Sequence, residues 1–297
     1  MTNASDLRVL VTGATGNVGT ELIHLLSGLS TVSLVRAATR DPKGARAELL
    51  RAMAPDRIEC VAFDAKRGES LEAAFAGIDV LCLITPLSDE ASEWQQAVFK
   101  AAKNVRRIVM VSVDAASPSA KAGPGALHWR GEEMLQEMTV ERAILRPTMF
   151  MQHFLIVPGV HVAGDDVFYL PFGNSGAALL DCRDISALAA VLANVDEASL
   201  PHEPVAMTGP EALTGAEMAR ILTAACGRPI RWEASRDAFL EHSASTGSPT
   251  ELAAIYDAGA NGAFATVERD GFEKFTGRSP SSFAKFASDH ADVFRSR

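Results

Sequence analysis

The chain has 297 residues, a formal net charge of −9 and 47% hydrophobic residues, which is enough for one large domain or two unequal ones and for a sizeable core. The acidic balance, with Lys and Arg dispersed, argues against nucleic acid or an anionic membrane surface as the main partner. No apolar stretch approaches the ~20 residues of a membrane span and MTNASDLR lacks a signal peptide's apolar segment, so a soluble, cytoplasmic protein is expected.

Strand-like runs occur at Leu7 to Thr12, Val32 to Ala38, Ile58 to Phe63, Val80 to Ile84, Arg107 to Val113 and Arg142 to Leu145. Helical stretches lie between them near Asn17 to Ser27, Lys43 to Met53, Ser70 to Ala76, Glu90 to Lys103 and Ala126 to Met138. Strand and helix in alternation, joined by short turns, predict an α/β fold: a doubly wound, Rossmann-like parallel sheet whose ligands sit at the carboxyl ends of its strands. After Pro147 the rhythm changes, and Pro158, Gly159, Gly164, Pro171, Gly173 and Gly176 punctuate short apolar pieces, as loops and a hairpin would. A helix returns at Arg183 to Ala193 with an apolar surface suited to docking on the sheet. A strand at Val205 to Thr208, a helix at Thr214 to Cys226 with a Thr214/Glu217 capping box, and a strand at Ile230 to Glu233 follow. Weaker helices come after these, and Ser243 to Thr250 reads as an exposed loop. The four cysteines (Cys60, Cys82, Cys182, Cys226) include no C-x-x-C pair, so neither a disulfide framework nor a metal site is expected.

The most informative segment is Val9 to Gly19, VLVTGATGNVG: a buried strand that runs into three glycines at the spacing G-x-x-G-x-x-G. Gly13 permits a tight turn, Gly16 lets backbone approach a pyrophosphate, and Gly19 lets the following helix pack on its strand. Thr15, Asn17 and Val18 complete the turn, with backbone N–H groups of Asn17 and Val18 facing the phosphates. A selective NAD site would place Asp or Glu at the end of the second strand. This chain has Ala38-Thr39-Arg40-Asp41-Pro42-Lys43, in which Arg40 and Lys43 offer positive charge to a 2′-phosphate, so NADP is the expected cofactor. Asp41 reads as a ribose acid or, more simply, a helix N-cap. Asp64 follows the third strand and would bond an adenine amino group or cap a turn. Thr85 and Pro86, after the fourth, would line the adenosine and pyrophosphate, while Ser112 ends the fifth near the nicotinamide position. Domains are expected at 1–152 with 179–197 for the dinucleotide and at 153–178 with 198–297 for a smaller α+β substrate domain.

These motifs together resemble the NmrA-like group of atypical short-chain dehydrogenases, which includes quinone, azo-dye and triphenylmethane reductases as well as NADP-sensing regulators. The resemblance covers nearly the whole chain and rests on VTGATGNVG, TRDP, LITP, VSVDAA and LRPTMFMQHF. It implies an amino-terminal dinucleotide domain, a small substrate domain with a cleft between them, and Pro147 beside the cofactor. Ordinary short-chain dehydrogenases carry Tyr-x-x-x-Lys on the helix after the fifth strand; here His128 stands for the tyrosine and Glu132 for the lysine. Four-residue spacing would place both on one helical face, where a carboxylate favours a charged imidazole able to donate a proton, or they form a surface ion pair. Met149, Phe150, Met151 and His153, with Phe168 and Tyr169, would supply an apolar surface for a flat molecule, or pack in the core. His153 falls where relatives often have asparagine.

The leading expectation is an NADPH-dependent reductase that passes hydride to a flat conjugated small molecule such as a quinone, azo compound, dye or enone. The alternative is a non-catalytic NADP(H)-sensing regulator that binds a protein partner. A small-molecule substrate is the expected partner and a homodimer one option for assembly; nucleic acid and membrane are not expected.

Overall fold

The computed structural model describes residues 6–86, 90–162, 166–245 and 249–295. Two compact units emerge: Met1–Pro147 with Ile185–Ala206, and Thr148–Asp184 with Met207–Arg297. The breaks differ from the expected ones by five to nine residues: the first unit ends with β6 at Pro147, and its second stretch runs on to Ala206, within a further sheet strand.

In the first unit, β1 (Leu7–Val11), β2 (Val32–Thr39), β3 (Ile58–Ala62), β4 (Val80–Ile84), β5 (Arg107–Val111) and β6 (Glu141–Pro147) alternate with α1 (Asn17–Ser27), α2 (Ala45–Met53), α3 (Gly68–Phe75), α4 (Ala91–Ala101) and α5 (Gly123–Gln136). The sheet order is β3-β2-β1-β4-β5-β6-β8, the seventh strand being β8 (Val205–Met207). Neighbours from β3 to β6 pair in parallel, with Val11 opposite both Ala37 and Cys82. The chain winds outward from β1 to β3 and then returns beside β1 as β4, so the switch point where such sheets take ligands lies between β1 and β4. Both faces are covered, which explains why Val9, Leu10, Val11 and the first four residues of β4 are almost fully buried. Burial raises the Cys82 thiol to about 12, as befits an inert core cysteine.

Helix α7 (Cys182–Asn194) brings the chain back, burying Ile185, Leu188, Ala189 and Leu192. Ser186 Oγ donates to Val18 O at 2.8 Å. Arg107, fully buried on β5, pairs with Glu141 and donates to the carbonyls of Leu192 (2.9 Å) and Val195 (2.6 Å), so it satisfies acceptors that the end of α7 leaves open.

The second unit contains α6 (His153–Ile156), β7 (Val167–Tyr169), α8 (Gly215–Cys226), β9 (Arg231–Glu233) and α9 (Arg236–His242), then α10 (Pro249–Ala260), α11 (Asp270–Thr276), α12 (Phe283–Asp289) and α13 (Ala291–Arg295). The Thr214/Glu217 capping box forms as its spacing predicts. The expected hairpin does not: β7 pairs in parallel with β9, more than sixty residues further on. The exposed loop expected at Ser243 to Thr250 is narrower than that: Ala244 and Ser245 are exposed turn residues, but both ends differ. Ser243 is buried, its Oγ donates to Phe239 O at 2.6 Å, and α10 has begun by Pro249; 246–248 lie outside the described residues. The core of this unit is rich in phenylalanine, with Phe154 in edge contact with Phe168 (5.2 Å) and Phe283 (4.9 Å). Among the described residues no helix is long and apolar enough to cross a membrane, and no cluster suited to a metal ion occurs.

Candidate active site

The glycine turn joins β1 to α1 at the switch point. Thr12 Oγ1 accepts from Ile84 N (2.8 Å) and donates to Ile84 O (3.0 Å), which ties the ends of β1 and β4 together. Gly13 has φ +59°, a left-handed conformation that glycine adopts without strain, and a Cβ there would lie 3.0 Å from Ile84 Cγ2. At Gly19 a Cβ would sit 2.2 Å from Gly13 O, so only glycine lets α1 start this close to the turn. Gly16 differs: it is exposed, and its Cβ would meet only Gly13 O at 3.3 Å. The space it leaves open faces outward. Gly16 is also the N-cap of α1, no side chain caps this end, and no acidic residue occupies the first turn. The first helical bond comes from Thr20 N to Gly16 O. The N–H groups of Asn17 and Val18 therefore have no acceptor among the described residues, and with half-buried Thr15 they form a cradle fitted to an anion such as a pyrophosphate.

At the end of β2, Arg40 and Lys43 are exposed and their charged groups have no partner among the described residues. Asp41 is not the N-cap of α2, a position that Gly44 takes; its Oδ1 instead accepts from Lys43 N at 3.2 Å and closes a turn. That turn presents both cations to solvent. Asp64 is likewise exposed, with Oδ1 accepting from Lys66 N (3.0 Å), the turn role rather than one dedicated to a base. Thr85 is buried and accepts from Gln95 Nε2 at 2.9 Å, while Pro86 is exposed beside it. Because β1, β4 and β5 are adjacent, Gly13, Thr85 and Ser112 follow three neighbouring strand ends, with Arg40 and Asp64 beyond β2 and β3.

The group around α5 departs from expectation. Glu132 is fully buried and does not orient His128. It forms a fork with Arg146 (Nε to Oε1 3.0 Å, Nη2 to Oε2 2.6 Å) and accepts from Ser112 Oγ at 2.5 Å. Arg146 also lies over the Trp129 ring at 5.8 Å. His128 is almost fully buried, and its Nδ1 has no hydrogen-bond partner among the described residues. Burial pushes its pKa down to about 4 and outweighs the opposing pull of Glu132. The ring is thus neutral at pH 7, which corrects the charged, carboxylate-paired imidazole expected from the four-residue spacing. Pro147 is buried, and its carbonyl accepts from Asp114 N at 3.0 Å.

In the second unit the residues after Pro147 divide. Met149, Met151 and Phe168 belong to the core, with Met151 and Phe168 almost completely covered, so the substrate surface expected of them is not theirs to form. Phe150 and His153 are half-buried, with ring centroids 6.4 Å apart in edge contact. His153 Nδ1 lies 2.8 Å from Tyr256 Oη. Tyr169 is half-buried against His242, centroids 4.4 Å apart. Sequence reasoning missed Arg146, Gln95 and Tyr256. The first stood in plain view beside Pro147, but nothing local names Glu132 as its partner, and the other two act on residues 10 and 103 positions away.

The NmrA-like family model matches residues 5–263. An NAD(P)H azoreductase of Xenophilus azovorans is 33% identical, over 96% of this chain and 99% of that protein. A (4-alkanoyl-5-oxo-2,5-dihydrofuran-3-yl)methyl phosphate reductase of Streptomyces griseus is 29% identical, over 96% of this chain and 99% of the relative. Among solved structures, the Citrobacter triphenylmethane reductase complexed with NADP(H) superposes with TM-score 0.81 at 21% identity, covering 96% of this chain and 100% of that one. The Escherichia coli NADPH-dependent quinone oxidoreductase complexed with NADPH gives 0.79 at 24%, covering 95% and 99%. With sheet order, glycine turn and the family model's span in agreement, the chain belongs to the NmrA-like family.

Proposed function

We propose that this protein is an NADPH-dependent reductase acting on flat, conjugated, electron-poor small molecules. The observation that carries the proposal is the pairing of an uncapped helix start at Gly16–Val18 with two exposed cations, Arg40 and Lys43, that have no partner among the described residues at the end of the next strand. The first fits the pyrophosphate shared by all nicotinamide dinucleotides; the second fits the 2′-phosphate that distinguishes NADP. Azo compounds, triphenylmethane dyes and quinones are named for relatives and structural neighbours, and they share a delocalised π-system that accepts a hydride. When bound, NADPH supplies that hydride. The chain's own contribution is then to hold phosphates through backbone amides and to hold Ser112, at the end of β5, through Glu132. A neutral, buried His128 does not act as a charged acid at pH 7, in keeping with acceptors that need no protonation before hydride arrives.

The test is an NADPH-oxidation screen against quinones, azo dyes, triphenylmethane dyes and enones, with calorimetric titration of NADPH and NADH. Turnover with at least one class and tighter binding of NADPH are expected. Tight NADPH binding with no turnover on any acceptor would overturn the reductase reading in favour of a nucleotide sensor.

A further inference from the structure

The turn that carries Arg40 and Lys43 is held in two ways. Within the turn itself, Asp41 N donates to Thr39 Oγ1 (3.3 Å), Lys43 N to Asp41 Oδ1 (3.2 Å) and Gly44 N to Asp41 O (3.3 Å). All three are long, and the two that use side chains lie open to water, which competes for the same groups. Such bonds close a turn but do little to stop it moving as a whole.

The fourth bond comes from outside the turn. Arg51, half-buried in the last turn of α2, donates from Nη2 to the carbonyl of Pro42, nine positions back along the chain. Helix geometry permits the reach: side chains lean towards the helix start, and about two turns separate Arg51 from the N-cap Gly44, so it lies on the face that looks back at Pro42. No other donor among the described residues meets Pro42 O. Arg51 forms no ion pair among the described residues, so no carboxylate competes for its guanidinium. A charged donor makes the stronger kind of hydrogen bond, and this one is anchored in a helix that packs on β2 and β3. Pro42 stands between Arg40 and Lys43 in the chain, so fixing its carbonyl fixes the backbone from which both cations extend. Long side chains lose freedom when they gather around an anion, and a backbone already held leaves less to lose.

We infer that Arg51 is a positioning residue for nucleotide selection, holding Pro42 so that Arg40 and Lys43 meet a single dianion, the 2′-phosphate. The inference rests on the NADPH reading above and adds a residue to it. The pyrophosphate is common to both nucleotides and falls to the Asn17 and Val18 amides, so loss of Arg51 should be felt with NADPH and not with NADH.

The experiment is calorimetric titration of NADPH and NADH into the full chain, in the wild type, R51M, R51Q, R40A/K43A and R40A/K43A/R51M. R51M keeps the apolar stem and R51Q a polar tip, and both lose the bond to Pro42. Each should lower the preference for NADPH, taken as the ratio of dissociation constants, by about three- to tenfold, with NADH affinity within about twofold of the wild type. Should R51M fail to fold, R51Q added to R40A/K43A carries the same comparison. In R40A/K43A no cations remain to be positioned, so adding R51M should change the ratio by less than about twofold. A loss of equal size in both backgrounds would make Arg51 a charge acting on the phosphate directly. NADH affinity falling in step with NADPH would make it a general support of the fold, and a ratio unchanged in both R51M and R51Q would show that the turn holds itself. Each of these three results overturns the inference and leaves the NADPH reading standing. A wild type that binds both nucleotides equally overturns that reading and the inference with it.

Discussion

The glycine turn and the cluster around Glu132 lie in the same unit, yet they are built on opposite terms. Around Gly16 the useful groups are backbone N–H donors without acceptors among the described residues. Around Glu132 the groups are side chains, buried or half-buried, and engaged with one another: both carboxylate oxygens are taken by Arg146, one of them also by Ser112. Both regions attract attention on sequence grounds, the first through its glycines and the second as the counterpart of a catalytic pair. The difference teaches that readiness to bind shows in groups left unsatisfied at a surface. Residues that saturate one another in the interior hold shape.

The sharpest way to break that comparison is Gly16→Val. A side chain there fills the space in front of the Asn17 and Val18 amides but meets little of the protein, so NADPH and NADH affinity should fall by more than about a thousandfold while the melting temperature stays near that of the parent. Calorimetry beside thermal denaturation checks it; retained micromolar binding would place the ligand elsewhere. Glu132→Ala should behave in the opposite sense, because it leaves the Arg146 guanidinium unpaired next to a buried void. A loss of about 3 kcal/mol in denaturant unfolding is expected, with nucleotide affinity of the folded fraction little changed. Arg40→Ala should remove about ten- to hundredfold of the preference for NADPH over NADH, measured as a ratio of dissociation constants, with stability unaltered.

Acid should act on the interior through the buried histidines. His128 has a folded pKa near 4 against an ordinary value of 6.5, so between these pH values the unfolded chain binds more protons than the folded one. Unfolding free energy should therefore be flat from this group above pH 7 and decline as pH drops from 6.5 towards 4, by on the order of 2 kcal/mol, and His128→Gln should make that limb shallower, the remainder coming from His153, which burial also holds near 4. Denaturant curves at half-unit pH steps measure it. The smallest effect concerns turnover: His128→Ala should cost less than about tenfold in kcat, and the parent rate should be level between pH 6 and 8. A rate that falls steeply through neutral pH, with a loss of ~10²–10⁴-fold in the variant, would return His128 to the role of proton donor.

Much of this is legible in the amino-acid sequence, and the reasons are local. The apolar stripe Leu22, Ile23 and Leu26 marks α1 at its observed bounds, and Thr214 with Glu217 announces the start of α8. What eluded sequence reasoning depends on partners far along the chain. The pairing of β7 with β9 leaves no trace in either three-residue strand, so the Gly- and Pro-punctuated segment looked like a hairpin. Phe168 and Met151 read as ligand-facing because an aromatic or thioether side chain serves a core and a cleft equally well; only burial against Phe154 and its neighbours decides. His128 and Glu132 share a helical face as spacing requires, but spacing is silent on Arg146, which arrives from β6 and takes the carboxylate.

Arg107 carries a consequence for the order in which the protein is made. Its buried guanidinium needs Glu141 and the carbonyls of Leu192 and Val195, and the seventh strand of the same sheet ends at Met207. A ribosome that has released only the first 147 residues has delivered six strands, the whole nucleotide turn and Glu141, yet not the Leu192 and Val195 carbonyls that complete Arg107's bonding in the interior. The nascent unit must therefore remain open at that edge until the chain has passed through the second unit's first segment and come back. A fragment ending at Pro147 should accordingly be a poor substitute for the unit it nearly encodes, prone to aggregate along its unfinished edge.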